Sequence, residues 1–299
     1  HCLELYPRIS KLGNCKVTIV RRSTYVELDN KISSYNGIYL KDIYTPKTKS
    51  FEAIIHTFLG VCYAMKIRAD LVHIHGIGPG LLAPVARLFG LKVVVTNHGP
   101  DYNRDKWGFI AKKILKLGEI LSYKFSNHNV LISDHINKVL ESKYGKKRKS
   151  IIYNGVNKIK FSHNSNILKR LNIEPKKYIF SLGRFVEEKG FHDLINGYSH
   201  LNQSLKLVIA GDADHQSNYS KNLKLLAKKR NVIMPGYVKG NDLKTLFYNS
   251  LIFVLPSYHE GLPIALLEAM SFNLKLLVSR IPSTSEFGLE EDDFYECGN

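Results

Sequence analysis

In the second half of the chain, apolar residues fall into short, nearly unbroken runs separated by segments of helical period. The runs at 178–182, 205–210, 232–234, 251–255 and 274–279 are rich in Val, Ile, Leu and Phe and are bounded by Gly, Pro or charge. That pattern predicts strands buried on both faces. Between them, 191–200, 219–230, 241–249 and 264–272 carry apolar positions three and four apart, as amphipathic helices do. Strand and helix alternating through short joints predict a parallel, doubly wound sheet. The first half repeats the theme less regularly, with strands predicted at 15–21, 71–75, 93–97 and 129–132 and helices at 51–68, 79–89, 106–125 and 134–144. Residues 1–12 read as a helix leading into the first of these strands. The polar stretch 154–166 separates the halves, so the expectation is an α/β chain of two Rossmann-like domains, 1–160 and 161–299.

Composition supports this and adds one asymmetry. A chain of 299 residues with 44% apolar content is long enough for two cores and too apolar for disorder. Cys2, Cys15, Cys62 and Cys297 lie far apart without ligand spacing, which argues against a disulfide framework or structural zinc and for a reducing cytoplasm. No apolar stretch reaches the length of a membrane span, and no signal peptide is visible. The net charge of +17 is concentrated: residues 1–160 hold 27 Lys and Arg against 11 Asp and Glu, and the remainder is nearly balanced. A basic half implies an anionic partner, whether nucleic acid, an acidic glycan or an anionic membrane surface. Its densest cluster, Lys146-Lys147-Arg148-Lys149, reads by itself as a solvated loop between a helix and a strand.

Candidate chemistry lies in the turns that follow the strands. After 251–255 comes Ser257-Tyr258-His259-Glu260-Gly261-Leu262-Pro263-Ile264, then a helix containing Glu268. A helix N-terminus has unpaired amides and a positive dipole end, so this turn can seat a phosphate while Glu260 and Glu268 accept hydrogen bonds from sugar hydroxyls. The alternative is a surface turn with two solvated acids, although Glu268 sits among Ile264, Ala265, Leu266, Leu267, Ala269 and Met270, an apolar setting for an unpaired acid. After 178–182, Gly183-Arg184 and Lys189-Gly190 place two cations on one loop, where they can neutralise a diphosphate. In isolation the pair would read as solvated cations beside Glu187 and Glu188. Asp212-Ala213-Asp214, after Gly211, could chelate a divalent cation, although the motif alone is a weak signal. In the first half, His98 follows the predicted strand at 93–97, with Asp101, Arg104 and Lys106 beyond it. A lone His is more often structural, as one of His73 and His75 is expected to be.

The segment from Glu260 to Glu268 resembles the Glu-x7-Glu motif of the family-4 retaining glycosyltransferases. The resemblance continues in family order through Val72-His73-Ile74-His75-Gly76, Thr96-Asn97-His98-Gly99-Pro100, Ser181-Leu182-Gly183-Arg184, Glu187-Glu188-Lys189-Gly190, Val208-Ile209-Ala210-Gly211-Asp212 and Met234-Pro235-Gly236. It implies the GT-B fold of two facing Rossmann-like domains, the first on the acceptor side and the second binding the nucleotide sugar. By the resemblance, Arg184 and Lys189 bind the diphosphate, Glu260 faces the donor sugar, Glu268 binds ribose hydroxyls and His98 contacts the sugar near the reacting centre. Gly183, Gly211, Asp212, Ser257, Gly261, Leu262, Pro263 and Ile264 complete the donor site, and Asp101, Arg104 and Lys106 are placed to meet the acceptor or its phosphate, although for any one of them taken alone surface solvation is the favoured reading. The stretch from His98 to Gly108 is similar to a subgroup that builds bacterial cell-surface polysaccharides and includes rhamnosyltransferases. Against the family both ends are short, lacking a first strand with its Gly-rich loop and the closing helices.

The implied activity is transfer of a sugar from a dTDP- or UDP-linked donor to a glycan or polyprenyl-diphosphate-linked acceptor, with retention of configuration, no metal and no cofactor. The enzyme would sit on the anionic inner face of the plasma membrane and close its domains around the donor. Rivals are a GT-B epimerase or phosphorylase and a non-catalytic basic protein binding membrane or nucleic acid. Nucleic acid is disfavoured because no helix-turn-helix, zinc finger or RNP-like motif is present.

Overall fold

The computed structural model describes residues 2–27, 31–46, 52–100, 102, 107–157, 159, 165–201, 204–214 and 216–298. They form two compact units, the first comprising 1–131 with 140–150 and the second 132–139 with 151–299.

The first unit opens with helix α1 (Cys2–Gly13) and a small sheet of β1 (Thr18–Arg22), β2 (Ser34–Tyr35) and β3 (Ile38–Ile43) in the order β1-β3-β2. Helix α2 (Glu52–Lys66) leads to β4 (Leu71–His75), followed by α3 (Ile77–Gly80), α4 (Ala83–Leu88), β5 (Lys92–Asn97), α5 (Phe109–Phe125), β6 (His128–Leu131), α6 (Asp134–Tyr144), whose residues up to 139 belong to the second unit, and β7 (Lys149–Ile151). Strands β4 to β7 lie side by side in chain order. Their core gathers Val61, Ala64, Ile74, Ala83, Ala86, Val93 and Val95 from α2, β4, α4 and β5, with Leu91 from the loop before β5. The helix expected over 79–89 is two helices. Pro84 has no amide to offer the carbonyl of Gly80 and its ring clashes there, so the chain ends α3 and restarts at Ala83. Helix α5 passes very close to α3: a Cβ on Gly118 would come within 2.2 Å of the Ile77 carbonyl oxygen.

The second unit contains α7 (Ile167–Leu171), β8 (Tyr178–Leu182), α8 (Phe191–Tyr198), β9 (Lys206–Ala210), α9 (Asn218–Lys229), α10 (Gly240–Asn249), β10 (Ile252–Leu255), α11 (Ile264–Ser271), β11 (Lys275–Ser279) and β12 (Phe294–Tyr295). Its five strands run parallel in the order β12-β11-β10-β8-β9. Both faces are covered. Tyr178, Phe180, Val208, Phe253 and Leu255 pack into one core, while Ile179, Leu207, Ile209 and Val254 pack into the other. Alternate residues entering separate cores explain why these strands read as unbroken apolar runs. The strand expected at 232–234 shrinks to a single bridge, Ile233 against Val208. Asn231 at φ 54° turns the chain just before it, and Pro235 just after it lacks an amide for a ladder.

Candidate functional site

The strand order of the second unit fixes where a ligand site can form. From β8 the chain moves outward to β9 and then returns to place β10 on the other side of β8, so the direction reverses between β8 and β10. In open α/β sheets the crevice beyond the strand ends at such a reversal is the ligand site. The loops leaving β8, β9 and β10 at this end carry Arg184 and Lys189, then Asp212 and Asp214, then Ser257 and Glu260.

Backbone contacts join these three loops. Gly211, at φ 120°, lies so close to the first loop that a Cβ there would stand 1.9 Å from the Gly183 carbonyl oxygen. Gly190, at φ 62°, abuts the Pro256 carbonyl oxygen at the same distance. Each glycine is required twice, by its left-handed φ and by a neighbouring backbone that cannot yield. The amides of Gly183, Phe185 and Tyr258 donate to the carbonyls of Ala210, Asp212 and Glu188. The side chains are therefore mounted on a tied backbone.

The two cations each hold an acid. Lys189 Nζ lies 2.5 Å from Glu260 Oε1, with both side chains largely buried, and Ser257 Oγ donates to that same oxygen at 2.7 Å. Arg184 donates to Asp214 Oδ2 at 3.0 Å and lies 3.9 Å from Glu188. Asp212 turns away to Lys224, 2.7 Å distant, and the hydrogen bond from that lysine lowers its carboxyl pKa. The carboxylates of Asp212 and Asp214 thus serve different cations. Among the described residues, no group of three or more His, Cys, Asp or Glu side chains is placed to hold a metal.

Leu262 and Pro263 are buried at the entrance to α11, whose Leu266 and Ala269 anchor it in the core; Gly261 is half-buried and Ile264 exposed. Glu268, one turn after Ile264, lies on the same stripe of the helix. It is half-buried, no described residue bonds its carboxylate, and desolvation raises its pKa. A carboxylate desolvated without a partner is a poor structural element and a good acceptor for ligand hydroxyls.

In the first unit, His98 stands beyond the end of β5, where Asn97 Oδ1 accepts from the Gly99 amide at 2.8 Å to set the turn. Its Nε2 is 3.2 Å from His75 Nδ1 at the end of β4. Asp101, Arg104 and Lys106 lie outside the described residues. Their neighbour Tyr102 is buried, and its hydroxyl donates to Glu119 and accepts from Lys143 Nζ at 2.8 Å. Tyr144 also donates to Glu119, which is only 2% exposed. Sequence reasoning missed this cluster. Its one signal was an acid between Leu115 and Ser122 on the buried face of α5.

A second feature occupies the opposite end of the same sheet, where β5, β6 and β7 begin. Arg87, Lys124, Lys146, Lys147 and Arg148 line a concavity of about 560 Å³ together with Phe125, Ser126 and Asn127. Of the basic tetrapeptide, only Lys149 leaves the group, to pair with Glu141. Among the described residues, no helix is long and apolar enough to cross a membrane.

Comparison with known proteins places this geometry. The glycosyltransferase family 4 profile matches residues 1–158, and the glycosyl transferases group 1 profile matches 164–291. The UDP-Gal:α-D-GlcNAc-diphosphoundecaprenol α-1,3-galactosyltransferase of Escherichia coli is 30% identical over 234 residues, covering 72% of this chain and 59% of its own length. The O-antigen chain mannosyltransferase RfbU of Salmonella typhimurium is 28% identical over 193 residues, covering 64% and 52%. An uncharacterized glycosyltransferase of Methanocaldococcus jannaschii, MJ1607, is 30% identical over 145 residues, covering 46% of this chain and 37% of its own. The chain thus spans 37% to 59% of the length of these curated relatives. Among solved structures, HepE of Anabaena bound to UDP and glucose aligns with a TM-score of 0.79 at 15% identity over 99% of this chain and 82% of its own. Sucrose-phosphate synthase of Thermosynechococcus elongatus aligns at 0.78 and 17% over 97% and 78%. At such identities the likeness speaks to fold. The chain belongs to glycosyltransferase family 4, with two parallel-sheet α/β units of the GT-B fold.

Proposed function

We propose that this chain transfers a sugar from a nucleoside diphosphate to a carbohydrate or lipid-linked hydroxyl in cell-surface polysaccharide synthesis, retaining anomeric configuration and using no metal. Residues 1–160 act as the acceptor-side domain and 161–299 as the nucleotide-sugar domain. The observation that carries the reading is the Lys189–Glu260 pair beside Arg184–Asp214 at the sheet reversal. A nucleotide sugar has the groups needed to replace both partners of the first pair. Its diphosphate takes Lys189 and Arg184, while a sugar hydroxyl takes the released Glu260. Glu268 accepts from the ribose, and the first-turn amides of α11 meet phosphate oxygens. Two cations and a helix end supply the neutralisation that a metal would otherwise provide, and Asp212, held by Lys224, stays out of it.

In the reaction, the bond from the anomeric carbon to the β-phosphate oxygen breaks as the acceptor oxygen bonds to the same face of that carbon. The acceptor proton passes to the departing phosphate, which Arg184 and Lys189 stabilise. His98 addresses the donor sugar. UDP and dTDP are the candidate nucleotides, and rhamnose is one candidate sugar. Asp101, Arg104 and Lys106 serve an acceptor that is a glycan or a polyprenyl diphosphate. The basic concavity supports peripheral attachment to the anionic inner face of the plasma membrane. Calorimetric titration with UDP, dTDP, GDP and ADP in EDTA tests the reading: one diphosphate should bind selectively without metal. Failure of all four to bind would overturn it.

A further inference from the structure

Strand β4 alternates its side chains, so His73 and His75 emerge on one face, and α1 lays Tyr6 across both. The Tyr6 hydroxyl lies 2.9 Å from His73 Nδ1 and 2.6 Å from His75 Nε2, with its ring edge-on to each imidazole. The far nitrogen of His73 meets Thr96 Oγ1 at 2.7 Å, and the far nitrogen of His75 meets His98 at 3.2 Å. The three imidazoles stack in sequence, with centroids 4.4 and 5.4 Å apart. We propose that this chain of bonds runs one way, from Thr96 through His73, Tyr6 and His75, and holds His98 as the neutral tautomer with its proton on Nδ1. Tyr6, His73 and His75 are then positioning residues for sugar transfer, an inference that rests on the assignment of His98 to the donor sugar.

Proton counting gives the direction. Burial pushes the Tyr6 phenol pKa up, so its oxygen keeps one proton and faces two imidazole nitrogens. It donates to one of them and must accept from the other. Desolvation, with the neighbouring imidazoles, lowers His73 to about 4 and His75 to about 3, so each is neutral at pH 7 and carries one N–H. A choice made at any link therefore fixes every other link, and two arrangements survive. Thr96 decides between them. Thr96 is 3% exposed, and His73 is the partner of its hydroxyl among the described residues. If Thr96 donates, its proton is satisfied; if it accepts, a buried donor is left unpaired. Donation by Thr96 leads to acceptance at His98 Nε2 and leaves the His98 proton on Nδ1.

Long-range proton–nitrogen correlation spectra of the chain labelled with ¹⁵N-histidine, at pH 7.5, test this without turnover. His73, His75 and His98 should all show the Nδ1–H pattern. Tyr6→Phe, which removes only the hydroxyl, and Thr96→Val, which removes only the head of the chain, should each convert His98 to a tautomer mixture. In a transfer assay, Tyr6→Phe should lower kcat about tenfold with little change in donor KM. An Nε2–H signature at His98 in the unmodified chain, or an unchanged His98 in both variants, would overturn the inference. His98→Ala tests the underlying reading separately: full transfer by that variant, with the Nδ1–H pattern intact in the parent, would remove the positioning role by removing the role of His98.

Discussion

At the scale of single residues, Glu268 is costly to the free protein. Its carboxyl is half-buried, and desolvation raises its pKa above the ordinary carboxylate value. A raised folded pKa contributes stability that is complete below the unfolded value, about 4.3, and is lost as pH climbs through the folded one. Glu268→Gln should therefore melt above the parent at pH 8 and level with it at pH 4. The same variant should bind nucleotide sugar less well, because a hydrogen bond to a charged acceptor contributes about 1.5–3 kcal/mol, roughly ten- to a hundredfold in affinity. Thermal unfolding at both pH values checks the first effect, and calorimetry checks the second. No gain in melting temperature at pH 8 would contradict the desolvation argument, and undiminished binding would remove Glu268 from the donor site. Much of this candidate site was legible residue by residue, since Arg184, Lys189, Glu260 and Glu268 announce themselves by charge in loops or apolar runs. Their partners were not. Lys189 meets Glu260 across 71 positions and Tyr6 meets His75 across 69, and no local pattern encodes such distances.

At the scale of elements, legibility followed burial. Strands β8, β10 and β11 sit between two cores, so each appeared as an apolar run with boundaries right to within a residue. Strands β2 and β12, two residues each, have no run to show, and β12 follows the acidic turn Glu291–Asp293. Strand β3 alternates buried Ile38 and Leu40 with exposed Tyr39 and Lys41, a signal of a half-covered sheet that the expectation of fully buried strands passed over. Helix α5 carries the next prediction, because its Glu119 receives two phenols, from Tyr102 and Tyr144. Glu119→Leu would leave both hydroxyls without that acceptor, and a buried donor so stranded, as Tyr102 is, costs about 1–3 kcal/mol. Urea unfolding should show the midpoint falling with little change in slope. Glu119→Gln, which keeps an acceptor oxygen, should recover part of the loss; equal losses in the two variants would place the cost in packing instead.

At the scale of the whole molecule, charge is the unevenly distributed quantity: 27 Lys and Arg against 11 Asp and Glu over residues 1–160, near balance elsewhere. Much of this excess is solvated or locally paired, but Arg87, Lys124, Lys146, Lys147 and Arg148 converge on one concavity at the start of β5, β6 and β7. That end of the sheet is opposite the end that carries His98. Beside them Leu88, Phe89 and Phe125 are exposed, which gives the same region apolar contacts for a lipid interface. A Lys or Arg near an anionic leaflet contributes about 1 kcal/mol. Replacing Lys146, Lys147 and Arg148 together by Gln should therefore cost about 3 kcal/mol, roughly a hundredfold in partitioning onto phosphatidylglycerol-rich vesicles. Added salt should weaken the parent's binding as the Debye length shrinks. Because all three side chains are exposed, the variant should melt with the parent and bind nucleotide equally. Co-sedimentation with anionic and neutral vesicles decides the matter. Equal binding to both would assign attachment to the apolar residues alone, and equal binding by parent and variant would move the membrane face elsewhere on the unit. Loss of binding to a DNA duplex, with no vesicle binding by either protein, would transfer the cations to a nucleic-acid partner.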